Sequence, residues 1–434
     1  MNIIKPRPAI DLISAALVIA ACLGLSGASS RPMRGPDAYA PGWSAVHADA
    51  KNSDYHRQPG PSDIELAWTR KFEGMINLGP TSDGKGRLFI TTGGKGCRLH
   101  ALDRMSGKTL WCSDVLGSLA VSSAPLLDRQ GRLYLGDGTA MHSFDRDGRQ
   151  LWSHPIIGTP LSAQFTPMGD LLFITHVGVI YILDRDTGRD RIQPYPLAPS
   201  PKFDPSEGAR ACMRGLPECP SANTPAIDPV TGRFYFTFWT PGATSAGVRA
   251  MRITAGPIPR LIAEWTNDNI AGGSASSPDL SADGRRLYVT DNEGNLHALD
   301  ARTGKPIWTY EIGYASDGSV SLSPEGLIIP AGGRQAALVA IRDTGKQGVL
   351  AWRHDSLRNV GIATQAAGYR AYPTVAKGSG AADILVIDTR NGAILDREPI
   401  DGRPIFTVGT TVDLDGTIYV PTIGGDLHAY RPAR

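Results

Sequence analysis

Charge of one sign is missing from this chain: 44 Lys and Arg are interleaved with 42 Asp and Glu, leaving a formal charge of +2. No basic stripe stands out, which argues against nucleic acid as a partner. Catalytic signatures are missing as well. The chain has no Gly-x-Ser-x-Gly elbow and no His-Glu-x-x-His pair. GPTSDGKG (Gly79 to Gly86) imitates a phosphate-binding loop, but it lacks the Ser or Thr that would hold magnesium and falls in a strand-to-strand turn. DNEGN (Asp291 to Asn295) has the wrong ligand spacing for a calcium loop and reads as a hairpin turn. The nine His are scattered, and His100 and His297 occupy equivalent positions of a repeated phrase, which assigns them to packing.

What is abundant is glycine, 50 residues of it, and it punctuates a repeat. The phrase is clearest in GRLFITTGGKGCRLHALDRMSGKTLW, GRLYLGDGTAMHSFDRDGRQLW and GRRLYVTDNEGNLHALDARTGKPIW. Each copy reads as a Gly-led turn, an alternating strand, a second turn, a strand ending near Leu-Asp, a polar turn and a strand closing on Trp. Copies recur about every 42 residues, about eight times, the period of propeller blades. The strand-end positions are Asp103, Asp145, Asp184, Asp300 and Asp388, with Arg252, Arg342 and Tyr430 in degenerate copies. An Asp there caps the following turn rather than serving as a catalytic acid.

Trp111, Trp152, Trp265, Trp308 and Trp352 recur in the outer closing strand, where a large ring can cover the neighbouring blade. The third and seventh copies lack it, so their edges are expected to pack less well. Trp68 in IELAWTRKF has no copy before it, and the last copy, GTIYVPTIGGDLHAYRPAR, stops without a closing strand. The two ends complete each other. The expectation is an all-β, eight-bladed propeller of four-stranded antiparallel blades, with residues around Glu65 to Phe72 as the outer strand of the last. A closed ring over residues 62–434 overrides the three domains that length alone would suggest at ~150 residues each.

The units resemble those of the quinoprotein (PQQ-like) β-propeller repeat family, whose wording is close to YVGxxDGxLYALDAxTGKxxW. The resemblance covers nearly everything after the leader, and GWSAVHADAKNSDYHRQPGP is similar to the Trp-x-x-x-His-x-Asp stretch that precedes the first blade in such proteins. The family includes quinone-dependent alcohol dehydrogenases and the non-enzymatic propeller lipoprotein of the outer-membrane β-barrel assembly machinery, to which this chain is closer in character. In the dehydrogenases the resemblance implies a cofactor between a Trp and a disulfide of adjacent cysteines, above a calcium. This chain has no Cys-Cys pair, and no Glu, Asn and Asp set can be assigned to calcium. Trp239 is the blade tryptophan outside the repeated position and the candidate stacking floor.

Residues 1–28 read as a secretory leader: Lys5 and Arg7 precede an apolar run from Leu12 to Leu25 that is short for a membrane span. Cleavage at Ser26-Gly27-Ala28 and acylation at Cys22, after Ile19-Ala20-Ala21, are both open. Residues 29–61 read as tether and lead-in. Cys97, Cys112, Cys212 and Cys219 then form an even set for an oxidising compartment, and Cys97–Cys112 with Cys212–Cys219 is one of three connectivities. No His stands at ligand spacing beside them, which disfavours zinc.

One sector is irregular. PSPKFDPSEGARACMRGLPECPSAN replaces the usual link between the third and fourth copies, and the fourth extends its middle hairpin as FWTPGATSAGVRAM. Links between blades and middle hairpins share one face of a propeller, so Trp239, His176, Lys95, Arg214, Arg334 and Lys377 are the candidate face for a ligand or partner. The competing reading makes these solvated loop tips, with Trp239 as a plug. The expected function is that of an exported, monomeric binding scaffold, periplasmic or outer-membrane-associated, that presents its loop faces to a protein partner in the cell envelope or to a small ligand. The alternatives are a dehydrogenase of alcohols or sugars using PQQ and calcium, and a sensor for a small sugar or anion.

Overall fold

The computed structural model describes Met1 and residues 38–199, 201, 209–212, 214–221, 223–256, 258–378, 380–402 and 409–433. The leader, its cleavage sites and Cys22 lie outside the described residues.

Alternation of apolar and polar residues between Gly-rich turns gives short antiparallel strands, and these assemble into six separate four-stranded sheets and one sheet of ten strands. The first blade comprises Thr81–Ser82, Arg87–Thr91, Leu99–Asp103 and Thr109–Ser113, ordered from the axis outward. Six blades stand alone; the ten-stranded sheet holds the sixth and seventh, making eight. The outer strand of the sixth, Gly348–Asn359, runs long enough for Arg358 and Asn359 to pair with Ala376 and Val375 of the seventh. The ring closes as the two incomplete ends require. Ile64–Lys71 pairs antiparallel with Asp426–Pro432 and supplies the outer strand of the eighth blade.

Each outer-strand tryptophan reaches into the next blade. The indole N–H of Trp68, Trp111, Trp152, Trp265 and Trp352 donates at 2.9–3.1 Å to the carbonyls of Arg104, Arg146, Arg185, Ala301 and Thr389, and that of Trp308 donates to Asp343 Oδ1. The ring lies on the turn glycine of that neighbour. At Gly304, φ is +70° and an added Cβ would stand 2.3 Å from the Trp265 ring. The two blades without Trp have nothing comparable to cover. Beside the third blade the neighbouring turn is the divergent TAGPIPR, and Ile192 fills the Trp register against an aliphatic cluster. Beside the seventh there is no turn, because the ring junction lies there. Asp396 takes the Trp register and accepts the Ile64 N–H at 2.8 Å.

The strand-end aspartates cap turns, as in Asp300 Oδ1, which accepts from the N–H of Arg302 and Thr303 at 3.1 and 2.8 Å. One register differs from the sequence reading. Ile418 pairs with Tyr430 as Leu88 pairs with Leu102, so Arg431 rather than Tyr430 stands at the Asp position of the last blade.

Near the axis, hydroxyls stitch one blade to the next. Ser162, Ser277 and Ser319 Oγ accept from the N–H of Ala124, Thr224 and Ser277, while Ser321, Thr364 and Thr411 donate to the carbonyls of Ala363, Thr410 and Pro80. Small hydroxyl residues suit these positions because the inner strands crowd together there.

Candidate functional site: the ring axis and its link face

The inner edges of the blades expose backbone N–H groups to the channel, and a buried donor without a partner is unfavourable. The chain supplies its own partners. Carbonyls of Trp43, Ser44, Ala50, Lys51, Ser53 and Asp54 accept in turn from the N–H of Ser82, Leu127, Ile227, Leu280, Leu322 and Gln365 at 2.6–3.0 Å, and Asp49 O accepts from Gln164 Nε2 at 3.2 Å. These seven donors come from seven successive blades. Tyr55–Pro59 then lies parallel to Thr364–Ala367, the inner strand of the seventh. Residues 43–59, read from the sequence as part of the lead-in, are therefore the filling of the channel.

The segment turns sharply to do this: Ala48, Asn52 and Asp54 all have positive φ, 68°, 60° and 44°. Asn52 is fully buried; its Nδ2 donates to the carbonyls of Thr224 and Pro278, and its Oδ1 accepts from Gln164 Nε2 at 2.9 Å. His47 Nδ1 lies 2.7 Å from Asp54 Oδ2, and its Nε2 lies 3.2 and 3.4 Å from Ser277 and Ser319 Oγ. That is the order of groups in an Asp-His-Ser triad. Asp54 fixes the imidazole with its proton on Nδ1, leaving Nε2 to accept from a hydroxyl. All four residues are buried, His47 at 7% exposure being the most accessible, so no acyl group reaches them and the constellation works as an anchor. Burial pushes the Asp54 carboxyl up, with His47 opposing, and pushes fully buried Asp279 well up beside it.

The irregular sector lies on the face carrying the links and middle hairpins. Ser221 N–H donates to His176 O, and Arg214 O accepts from Asn292 Nδ2, so the insertion spans the hairpins of the third and fifth blades. Cys212 and Cys219 are bonded at 2.05 Å within it, and Cys97 and Cys112 are bonded at 2.03 Å across the first blade. Beneath the insertion is a cavity of about 10 Å³ lined by Gly215, Cys219, Trp239 and Ser274, room for about one water.

Two candidate residues of this face need correction. Trp239 is only 8% exposed: its N–H donates to Pro220 O, its indole donates to Ala243 O at 3.1 Å, and Gly273 lies against its ring. It plugs the sector instead of presenting an aromatic rim. His176 is also buried, its Nδ1 accepting the Thr159 N–H at 2.9 Å, and burial pushes its pKa down. Lys95, Arg214, Arg334 and Lys377 are exposed on this face, but not as one group. Arg214 influences Asp317, which is tied through its N–H to Gly332 O beside Arg334, so these two arginines share a sector. Lys377 lies 3.7 Å from Asp383, and Lys95 sits on the first blade.

The residues present do not fit a quinone and its calcium. The candidate stacking ring is covered, the four cysteines form two bridges between non-adjacent residues, and among the described residues no group of three or more His, Cys, Asp or Glu could hold a cation.

Residues 61–200 and 262–420 match the family of outer membrane protein assembly factor BamB. Protein Rv3035 of Mycobacterium tuberculosis is 31% identical over 404 residues, covering 91% of this chain and 96% of its own. Two solved structures are similar at lower identity. BamB from Moraxella catarrhalis gives a TM-score of 0.59 at 16% identity, over 85% of this chain and 99% of that one. Quinohemoprotein alcohol dehydrogenase from Comamonas testosteroni gives 0.64 at 15%, over 93% and 82%. These two likenesses speak for the fold alone.

Proposed function

The chain belongs to the PQQ-like β-propeller family of outer membrane protein assembly factor BamB, and from that premise we propose that it is an exported scaffold of the cell envelope that binds a protein partner on its link face. The observation that carries this reading is the filled axis. A channel occupied by the chain's own residues 43–59 leaves the work to the surface, and the built-up part of that surface is the disulfide-pinned insertion between blades. Arg214 and Arg334 are the exposed groups of that sector best suited to a charged rim contact, with the buried Trp239 holding the insertion in place. Such a rim sets partner choice and association rate more than affinity.

The test is site-specific photo-crosslinking in the envelope, with a crosslinking residue at position 214 or 334, and at 395 on the outer strand of the seventh blade as control. Discrete protein adducts from 214 and 334 but not 395 are expected. Adducts from none of the three, or saturable quinone binding with dye reduction by the purified protein, would overturn the scaffold reading.

A further inference from the structure

The opposite face is formed by the turns closing the first and second and the third and fourth strands of each blade. It carries large apolar side chains at its tips: Val230 and Ile258 on the fourth blade are 74% and 78% exposed, Met105 on the first 66%, with Tyr369 on the seventh and Leu414 on the eighth also exposed. The fourth and eighth blades lie across the ring from each other, so these tips stand on opposite rims of one flat face.

Charge on the same turns is unequal. Asp128, Asp170 and Asp413 are buried, and Asp103, Asp145 and Asp300 accept hydrogen bonds from their own turn amides. Of the carboxylates that are exposed there, Asp147, Asp186, Asp283 and Asp415 pair with Arg87, Arg132, Arg285 and Arg104, and Glu325 stands among the cations. The cations point out, with Lys85, Arg146, Arg260, Arg302, Lys305 and Lys346 all exposed. Ala38, where the continuous described chain begins, is also on this face, since its carbonyl accepts the N–H of Arg129 in the turn of the second blade at 3.0 Å. Fifteen residues separate Ala38 from Cys22, a reach of roughly 50 Å at most when extended.

We infer that this turn face docks on an anionic membrane surface. A protein partner would have to span the whole ring to touch both apolar rims, whereas a bilayer meets them together. Side chains of this type enter the headgroup boundary while the surrounding Lys and Arg contribute attraction to anionic lipid. The inference rests on the envelope reading, because it requires a membrane beside the protein.

The chain from residue 29 onward contains every element of the ring and is the form to test, by co-sedimentation with phosphatidylglycerol-containing vesicles and with pure phosphatidylcholine vesicles. Wild type is expected to sediment with the anionic vesicles only, and less as salt rises. Val230→Asp with Ile258→Asp, and separately Met105→Asp with Leu414→Asp, should each lower partitioning roughly tenfold. Ile157→Asp, on the link face, should leave it unchanged. All five positions are solvent-exposed, and unchanged melting curves confirm that the variants fold. Failure of wild type to sediment, equal sedimentation of the rim variants, or loss of an envelope protein with vesicle binding intact would each overturn the inference. Crosslinks from positions 214 and 334 report on the scaffold reading separately, so the two fail independently.

Discussion

Replacing Asn52 by Leu tests whether the axial segment is part of the fold or merely lies in it. The side chain makes three buried hydrogen bonds, to Thr224 O, Pro278 O and Gln164 Nε2, and sits at φ 60°. Leu fills the space but leaves two carbonyls and an amide unpaired, at about 1 kcal/mol or more each. The left-handed backbone, which Asn tolerates and Leu does not, adds about 1 kcal/mol. The sum is about 4 kcal/mol. A domain of 150–250 residues moves about 2–4 °C per kcal/mol, and a longer chain less, so the melting temperature should fall by roughly 6 °C. Asn52→Gly keeps the backbone unstrained and leaves room for water, so it should lose about half as much. Calorimetry at neutral pH measures both, and hydrogen exchange should locate the loosening at the amides of Ile227, Leu280 and Leu322, which face this segment. A Leu variant melting within about 1 °C of wild type would refute the idea that the segment holds the ring together.

Trp239→Ala should destabilise the protein by about 3–5 kcal/mol in chemical denaturation, because it empties a covered site rather than trimming a rim. Gly304→Ala forces a Cβ onto the Trp265 ring at positive φ and should lower stability by more than about 1 kcal/mol; combining it with Trp265→Ala should recover part of that loss, a coupling measured by a double-mutant cycle. Asp279 is raised in the fold by burial, so the folded state holds its proton where the unfolded chain, at about 4, has released it. Its burial therefore weakens the fold as pH rises above about 4, and Asp279→Asn should melt higher than wild type at neutral pH, with the gap closing toward pH 4. Melting curves across that range check the sign.

The ring was legible because its reasons are local and repeated. A turn Asp, a turn Gly and a Trp recur at fixed spacing, and each answers to a contact within a blade or with the next one. The exceptions are legible only in part: the missing Trp suggests poorly packed edges, whereas Ile192 and Asp396 take its register where the neighbouring turn diverges or the junction intervenes. The axial segment was not. HADAKNSDYH is polar and reads only as lead-in to the first blade, and only the inner edges meeting at one axis turn His47, Asn52 and Asp54 into buried groups. The hydroxyl residues ahead of the inner strands, Ser162, Thr224, Ser277 and Ser319, were the available signal of a polar interior. Trp239 stayed open between rim and plug for a related reason: a nonrepeating aromatic on a long hairpin suits either, and the cover that decides for the plug comes from residues in a separate insertion. Turn position alone located Lys95, Arg334 and Lys377 on the link face, but not their separation around the ring.

The filled axis also dictates an order of events during folding. Residues 43–54 emerge before any blade exists, yet their seats are spread along the whole ring: His47 meets Ser319 across 272 residues of sequence, and Asp54 meets Gln365 on the seventh blade. A chain delivered N-terminus first must keep this stretch unpaired until seven blades have arrived, and Ile64–Lys71 must wait longer still for Asp426–Pro432. Contacts this distant in sequence slow folding and prolong the exposure of unpaired edges. The stretch ahead of the first blade is thus among the last to settle, and anything that binds it while it waits would hold the ring open.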